Sequence, residues 1–567
     1  MPIDLQSIEA RFRAGMLLES IEWGGSDGAA LLDACVQRHN EGRIDLIALI
    51  EDGSHARLSR QDFFPVVDFY CRAMPRLENV QVSRMLACVA KLVETGGEDL
   101  AANMPNTALI AWCAADPARA DEIIKDARCG DALATAHLAF ALQAKEDLPL
   151  ARKVVAEFDD KRRLSALTAL SRLPHDNVSD RSATVAMLAS VLTASGDDVL
   201  RAHTVSAVVR IFESGGVQLT PEALTVLGKA LAGGGDLTLR AAVAALLEAT
   251  RCINPDLVRL LLSALLRVDP SNKGTIDCLD TALYQLFRKN FGEQAVTFVT
   301  DLVVHLDGAI APDQLKSFAV AVTDDAPLLG EMAVKWLLSA NRHLCEALTD
   351  IVRKQGRKDA PMTIDFNALD LTEQQIYFVC RKAVGYLFLQ PLVAGSLLVS
   401  ALRTAQGELA KMIQDLLFDP MLVNYGGAMR QYLEGIETAD AAHDHVKAVL
   451  ARADNYLTGL EQAGTIKELH PSGYRRQLER IRMIDFNREV AKKAQSQSIL
   501  WTLVHRSTLL HGNRLVTLVE EAEGVTRTIE MDLKTFEHSV EWPRMETVDP
   551  VGLDMILRVF RGERMVS

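Results

Sequence analysis

The sequence predicts a mostly α-helical chain, built as an array of stacked helical pairs and closed by a small α+β module. Three observations lead there. Helical periodicity is nearly continuous, helix start signals recur at a regular interval, and strand-like alternation is nearly absent before residue 510. Of the 567 residues, 49% are apolar and 24% charged. That is the balance of a folded globular chain and excludes a largely disordered one. With 61 Lys+Arg against 75 Asp+Glu the net charge is -14. Such acidity opposes non-specific attraction to nucleic acid or anionic lipid by the molecule as a whole, and leaves room only for a local basic patch.

The amino terminus, Met1-Pro-Ile-Asp-Leu-Gln, lacks the basic start and apolar core of a secretory signal. Gly24-Gly-Ser26-Asp-Gly28 has the spacing of a nucleophile elbow. An elbow needs a strand before it, and the preceding residues read as helical, so Ser26 or Asp27 is expected to cap the next helix. Nine cysteines form no Cys-x-x-Cys pair, and most sit in apolar helical runs such as Met85-Leu-Ala-Cys88-Val. They are expected to be reduced and packed as small apolar groups, in a cytoplasmic protein.

Aromatic residues are only 5%. In Asp197–Gly215, Leu200, Val205, Val208, Ile211 and Phe212 recur mostly at three- and four-residue steps, the signature of a buried helical face. Gly215-Gly216 is expected to end that helix in the left-handed conformation. Asp116-Pro117, Thr220-Pro221-Glu222 and Asn254-Pro255-Asp256 each supply a capping side chain and a proline at the first helical position. Gly96-Gly97 and Gly233-Gly-Gly235 are stop signals. Helix starts near 178, 197, 220, 236, 254 and 275 put alternate starts about 34–42 residues apart. One helix pair of that length cannot bury its apolar face alone, so pairs stack into a solenoid.

Asp236-Leu-Thr-Leu-Arg240-Ala-Ala-Val-Ala-Ala-Leu-Leu resembles the second helix of a HEAT repeat, and Asp198-Val-Leu-Arg201-Ala is similar. The resemblance is clearest over 160–270. It implies a HEAT/ARM-like helical-repeat solenoid in which Asp and Arg near this helix make ladder contacts between neighbouring units. It implies no particular partner.

A boundary is expected at 354–364, which is polar and contains Gly356 and Pro361. It separates a solenoid over 1–355 from a continued helical region over 365–464. Thr372-Glu-Gln-Gln375 matches a capping box. Ala383–Leu402 approaches the length of a membrane span, but Gln390-Pro391 interrupts it, so two buried helices and no membrane partner are expected. A further break falls between Asp419-Pro420 and Gly426-Gly427, and Ala441–Leu460 resumes as helix. The last region, 465–567, opens with a long amphipathic helix over Tyr474–Leu500. Leu515–Val519 and Val525–Ile529 flank Glu523-Gly524 as a β-hairpin, and Val551–Phe560 closes the chain.

Chemistry is sparse. No Gly-x-x-x-x-Gly-Lys-Ser/Thr loop and no His-Glu-x-x-His occurs, and no cofactor is expected. His443 and His445 stand two residues apart, which on a helix turns them away from each other, so no metal site is expected. Arg475, Arg476, Arg480, Arg482, Arg488, Lys492 and Lys493 oppose Glu479, Asp485 and Glu489, a local balance of +4. They form a strip for RNA, DNA or an acidic protein surface, or a solvated face with i,i+4 partners. Arg506-Ser-Thr-Leu-Leu-His511-Gly-Asn513 resembles the Arg-x4-His motif of HEPN ribonucleases, with Ser507 where the commoner residue is Asn or Asp. The resemblance implies a metal-independent cleavage of RNA by Arg506 and His511 in a dimer. The same residues also read as a helix end capped by a basic side chain and Gly512. His505 adds an imidazole beside the motif. Trp501, Phe536 and Trp542 are expected to pack the carboxy-terminal unit. Two functions follow. One is a non-catalytic scaffold holding a protein partner on the concave face of the solenoid. The other is an RNA-binding or RNA-cleaving effector using 465–514.

Overall fold

A computed structural model shows a mostly α-helical protein. It describes the chain apart from residues 1–4, 14–16, 19–25, 54, 56–57, 59, 98–102, 195–196, 311–313, 355–360, 498–513, 522–524, 533–540 and 566–567. The chain divides into two compact units, Met1–Leu328 and Leu329–Ser567. The break expected at 354–364 falls inside the second of them.

Helices of the first unit start where short polar side chains satisfy free amides. Asp131 accepts from Ala134 N (2.7 Å), Asp147 from Leu150 N (2.9 Å), Asp197 from Leu200 N (2.6 Å) and Asn254 from Leu257 N (2.9 Å). Proline is the first residue of the Pro117–Arg128, Pro221–Ala232 and Pro255–Leu265 helices. There its missing N–H removes nothing and its fixed φ suits the helix.

From residue 148 onward the helices pack in two layers. Lys161–Leu170, Asp198–Ser214, Asp236–Glu248, Lys273–Arg288 and Lys316–Asp324 pack each upon the next. Leu148–Glu157, Val178–Ala194, Pro221–Ala232, Pro255–Leu265 and Gly292–His305 do the same in the other layer. Between the layers lie aliphatic side chains such as Leu227, Leu246, Leu261 and Leu283, all excluded from solvent. The Asp198–Ser214 helix ends before Gly215, and it is Gly216 that takes the left-handed conformation, at φ +61°.

In the second unit Glu373–Leu387 opens with a capping box between Thr372 and Gln375. The apolar stretch 383–402 folds as two helices, Glu373–Leu387 and Pro391–Leu402, and Gln390 is buried between them. Among the described residues no helix is long and apolar enough to cross a membrane. The Asp419–Pro420 peptide bond is cis. Next come Ala428–Glu434, His443–Gly464 and Gly473–Gln497. Arg514–Glu521 and Val525–Asp532 pair antiparallel, with Thr517 opposite Ile529. The final helix, Pro550–Gly562, packs against Glu373–Leu387.

Candidate functional site

Side chains from one helix pair reach the backbone of the next along the layer that holds the Asp198–Ser214 and Lys273–Arg288 helices. The Asp198 carboxylate accepts from the amides of Gly235 (2.6 Å) and Leu237 (2.9 Å) and from the Thr238 hydroxyl (2.6 Å). It thereby caps a helix that starts with no capping side chain of its own. Asp280 does the same for Ser317 N (2.8 Å) and Phe318 N (2.9 Å). Glu213 accepts from the amides of Thr250 (2.8 Å), Arg251 (2.8 Å) and Cys252 (3.1 Å) and from the Thr250 hydroxyl. Burial by itself raises the Glu213 carboxyl, but these hydrogen bonds outweigh it and hold the group at about 2.

Cations serve the opposite helix ends. Arg201 donates to Lys229 O (2.8 Å), Arg267 to Leu231 O (2.5 Å), and Lys289 Nζ to Leu246 O (3.0 Å) and Ala249 O (2.5 Å). Desolvation lowers the pKa of Lys289. Asp198 and Asp280 thus sit at amide ends and the bases at carbonyl ends, the arrangement helix dipoles favour, whereas Glu213 holds the turn that follows a carbonyl end. Of the residues singled out for such contacts, Asp198 and Arg201 make them, whereas Asp236 and Arg240 are exposed. Glu213, Arg267, Asp280 and Lys289 were missed, because each finds its partner 36–43 residues away. The recurring interval was the signal that could have found them.

Gly233-Gly-Gly235 proves to be more than a stop. None of the three adopts a positive φ. A Cβ on Gly233 would lie 2.9 Å from the Arg201 guanidinium carbon, one on Gly235 3.0 Å from Asp198 Oδ2, and one on Gly234 would overlap the Thr238 side chain. The glycines admit the interlocking groups.

In the second unit, Lys382 has no exposed surface, and its Nζ donates to Arg561 O (2.6 Å) at the end of the final helix. Burial lowers its pKa. Arg561 Nε donates in return to Gly385 O (2.6 Å), and Arg381 pairs with Glu563 at 3.0 Å. Beside this junction is an open cavity of about 700 Å³, lined by Tyr386, Phe388, Leu389, Trp542, Leu553 and Leu557, with Glu346, Asp350, Glu546 and Asp554 among its polar groups.

The seven bases of 475–493 all lie exposed on the Gly473–Gln497 helix. Arg475 meets Glu479 at 3.8 Å and Arg488 meets Asp485 at 3.6 Å, both at the solvent surface, where such pairs stabilise little. At about 100° per residue, Arg475, Arg482 and Lys493 share one side, Arg476 and Arg480 a second, and Arg488 and Lys492 a third. The expected strip is therefore spread around the helix. The expected single apolar stripe is also corrected. Tyr474, Leu478, Ile481 and Ile484 lie on one side, and Met483, Phe486 and Val490 on the other. All seven are exposed, and the Phe486 ring meets Trp542 edge-on at 5.5 Å between centroids.

His443 Nδ1 is 3.2 Å from Ile436 O and His445 Nδ1 is 2.8 Å from Gln414 Nε2, so the two rings turn to different partners. No group of three or more potential metal ligands occurs among the described residues. Ser26 is the first residue of the Ser26–Asn40 helix. All nine cysteines are free, and burial pushes the thiols of Cys35, Cys88 and Cys113 up to about 12, which leaves them poor nucleophiles. Arg506, His511 and the neighbouring His505 lie outside the described residues, as do Trp501 and Phe536. No family model, curated protein or solved structure matches the chain.

Proposed function

We propose that the protein is a non-catalytic interaction scaffold. In this reading its first unit is a HEAT-like α-solenoid that presents a concave face to a protein partner, and residues 465–567 form a small α+β cap. The observation that carries the reading is the interlock. Asp198 and Asp280 each reach the start of a helix, and Glu213 the turn 250–252, all 37–40 residues on. Regular pairs joined in this way offer a long surface of repeated helix faces, which suits recognition of an extended partner. Reduced cysteines and a cytoplasmic location belong to the same reading.

The test is capture of the tagged chain at native expression, alongside a version ending at Gly464, with cross-links mapped by mass spectrometry. The scaffold reading expects a stoichiometric protein held by both versions and cross-linked within 148–328. A catalytic turnover with no such protein overturns it.

The seven exposed bases favour a second reading, in which RNA binds at 475–493 and Arg506 with His511 cleaves it. That reading expects RNA retained only by the full-length chain, and cleavage lost in both Arg506→Ala and His511→Ala.

A further inference from the structure

The Gly473–Gln497 helix has 25 residues, about 37 Å of length. Each of its side chains for which burial is described is exposed. A single helix gains little stability from its own hydrogen bonds, and packing of an apolar face normally supplies the rest. Here Tyr474, Leu478, Ile481 and Ile484 share one side and are 73%, 39%, 48% and 51% exposed. The Phe486–Trp542 contact lies on the opposite side, so the helix meets its own unit there and turns this face outward.

Charge on and beside the outward face is net positive. Arg488 and Lys492 lie within it, and Arg480 and Arg482 flank it about 40° beyond its two borders. Of the three acids only Asp485 falls inside, 3.6 Å from Arg488. Glu479 is on the far side and Glu489 at the edge.

We propose that this face docks an acidic amphipathic helix of a partner protein. The idea rests on the scaffold reading and gives it a second, separate contact. Ile481, Ile484 and Leu478 pack into the partner's apolar seam, while its flanking carboxylates meet Arg480, Arg488 and Lys492. A nucleic-acid backbone would use the arginines but leave the aliphatic side chains in water. A membrane surface needs an apolar face that runs the length of the helix, and here Asp485, Arg488 and Lys492 replace it in the second half. Pairing with the same helix of a second copy would set +4 against +4.

The full-length chain is titrated into a fluorescein-labelled peptide of three Glu-Ile-Ala-Ala-Leu-Glu-Glu heptads, with fluorescence anisotropy as the readout. Single-stranded RNA of mixed sequence and vesicles containing phosphatidylserine are run in parallel. The peptide is expected to bind, with affinity falling as salt rises. Ile481→Ser with Ile484→Ser weakens binding by roughly tenfold or more, as does Arg480→Glu with Arg488→Glu. Met483→Ser, on the other side, leaves it unchanged. All substituted side chains are exposed, so circular dichroism of the variants is expected to match the parent. No peptide binding at about 100 μM overturns the proposal. So does peptide binding indifferent to the isoleucines, or binding of RNA or vesicles in preference to the peptide. A protein captured on 148–328 while the peptide fails separates this failure from failure of the scaffold reading.

Discussion

Glu213 shows what one carboxylate does in this array. It satisfies three consecutive amides at the turn 250–252. Glu213→Ala leaves them without an acceptor and is expected to cost about 1–3 kcal/mol, measured as a lowered urea midpoint of unfolding. Glycines offer a paired contrast. Gly234→Ala places a methyl against Thr238 and is expected to destabilise by about 1–3 kcal/mol. At Gly274 the nearest atom to an added Cβ, Asn272 Oδ1, is 4.0 Å away. Gly274→Ala is therefore expected to stabilise by about 0.4–1 kcal/mol through the unfolded chain, read as a raised thermal midpoint. In the sequence both glycines look alike, because what separates them is the Thr238 side chain, whose hydroxyl is held by Asp198, 40 residues away.

Helices were the most legible level. Thr220, Asn254 and Asp116 mark helix starts because a cap is a local interaction between residues two or three apart. The capping box at Thr372 is readable for the same reason. Legibility ended where an element's neighbours decide its role. The Gly473–Gln497 helix carries apolar residues on two sides, and nothing in its own composition says which side its unit touches. The final helix gives a second case, since its lock comes from Lys382, 179 residues from Arg561. Lys382→Ala removes that donor, and loss of a charged hydrogen bond is expected to cost about 1.5–3 kcal/mol. Faster amide hydrogen exchange at Leu553 and Leu557 is the expected readout, with exchange in the first unit unchanged.

At the scale of the molecule, the two compact units need not unfold together, so a single transition is not assumed. Acid acts on the first unit through its buried and half-buried histidines. His39, His55, His137, His175 and His203 belong to the first unit, and burial holds each below the ordinary value of 6.5. The unfolded chain therefore takes up protons first as pH falls. The stability these histidines contribute is complete above about 6.5 and is lost progressively below it. Glu213, held at about 2, adds a second loss as pH falls from 4.5 toward 2. The first unit is expected to show a lower urea midpoint at pH 5.5 than at pH 7.5, followed by exchange mass spectrometry. An unchanged midpoint would mean that these imidazoles take up protons as readily in the fold as in the unfolded chain.

The bonds of Asp198, Glu213 and Asp280 to the following pair also have a mechanical meaning. Each ties together residues 37–40 positions apart, so tension applied at the ends of the first unit meets these ties one after another. Releasing the Asp280 tie lets out about 40 residues of slack, roughly 130 Å at full extension, whereas the overlapping ties of Asp198 and Glu213 must both give before their stretch extends fully. Stretched between a surface and a cantilever, the unit should lengthen in small steps at modest force, and should rewind step by step when the load is removed.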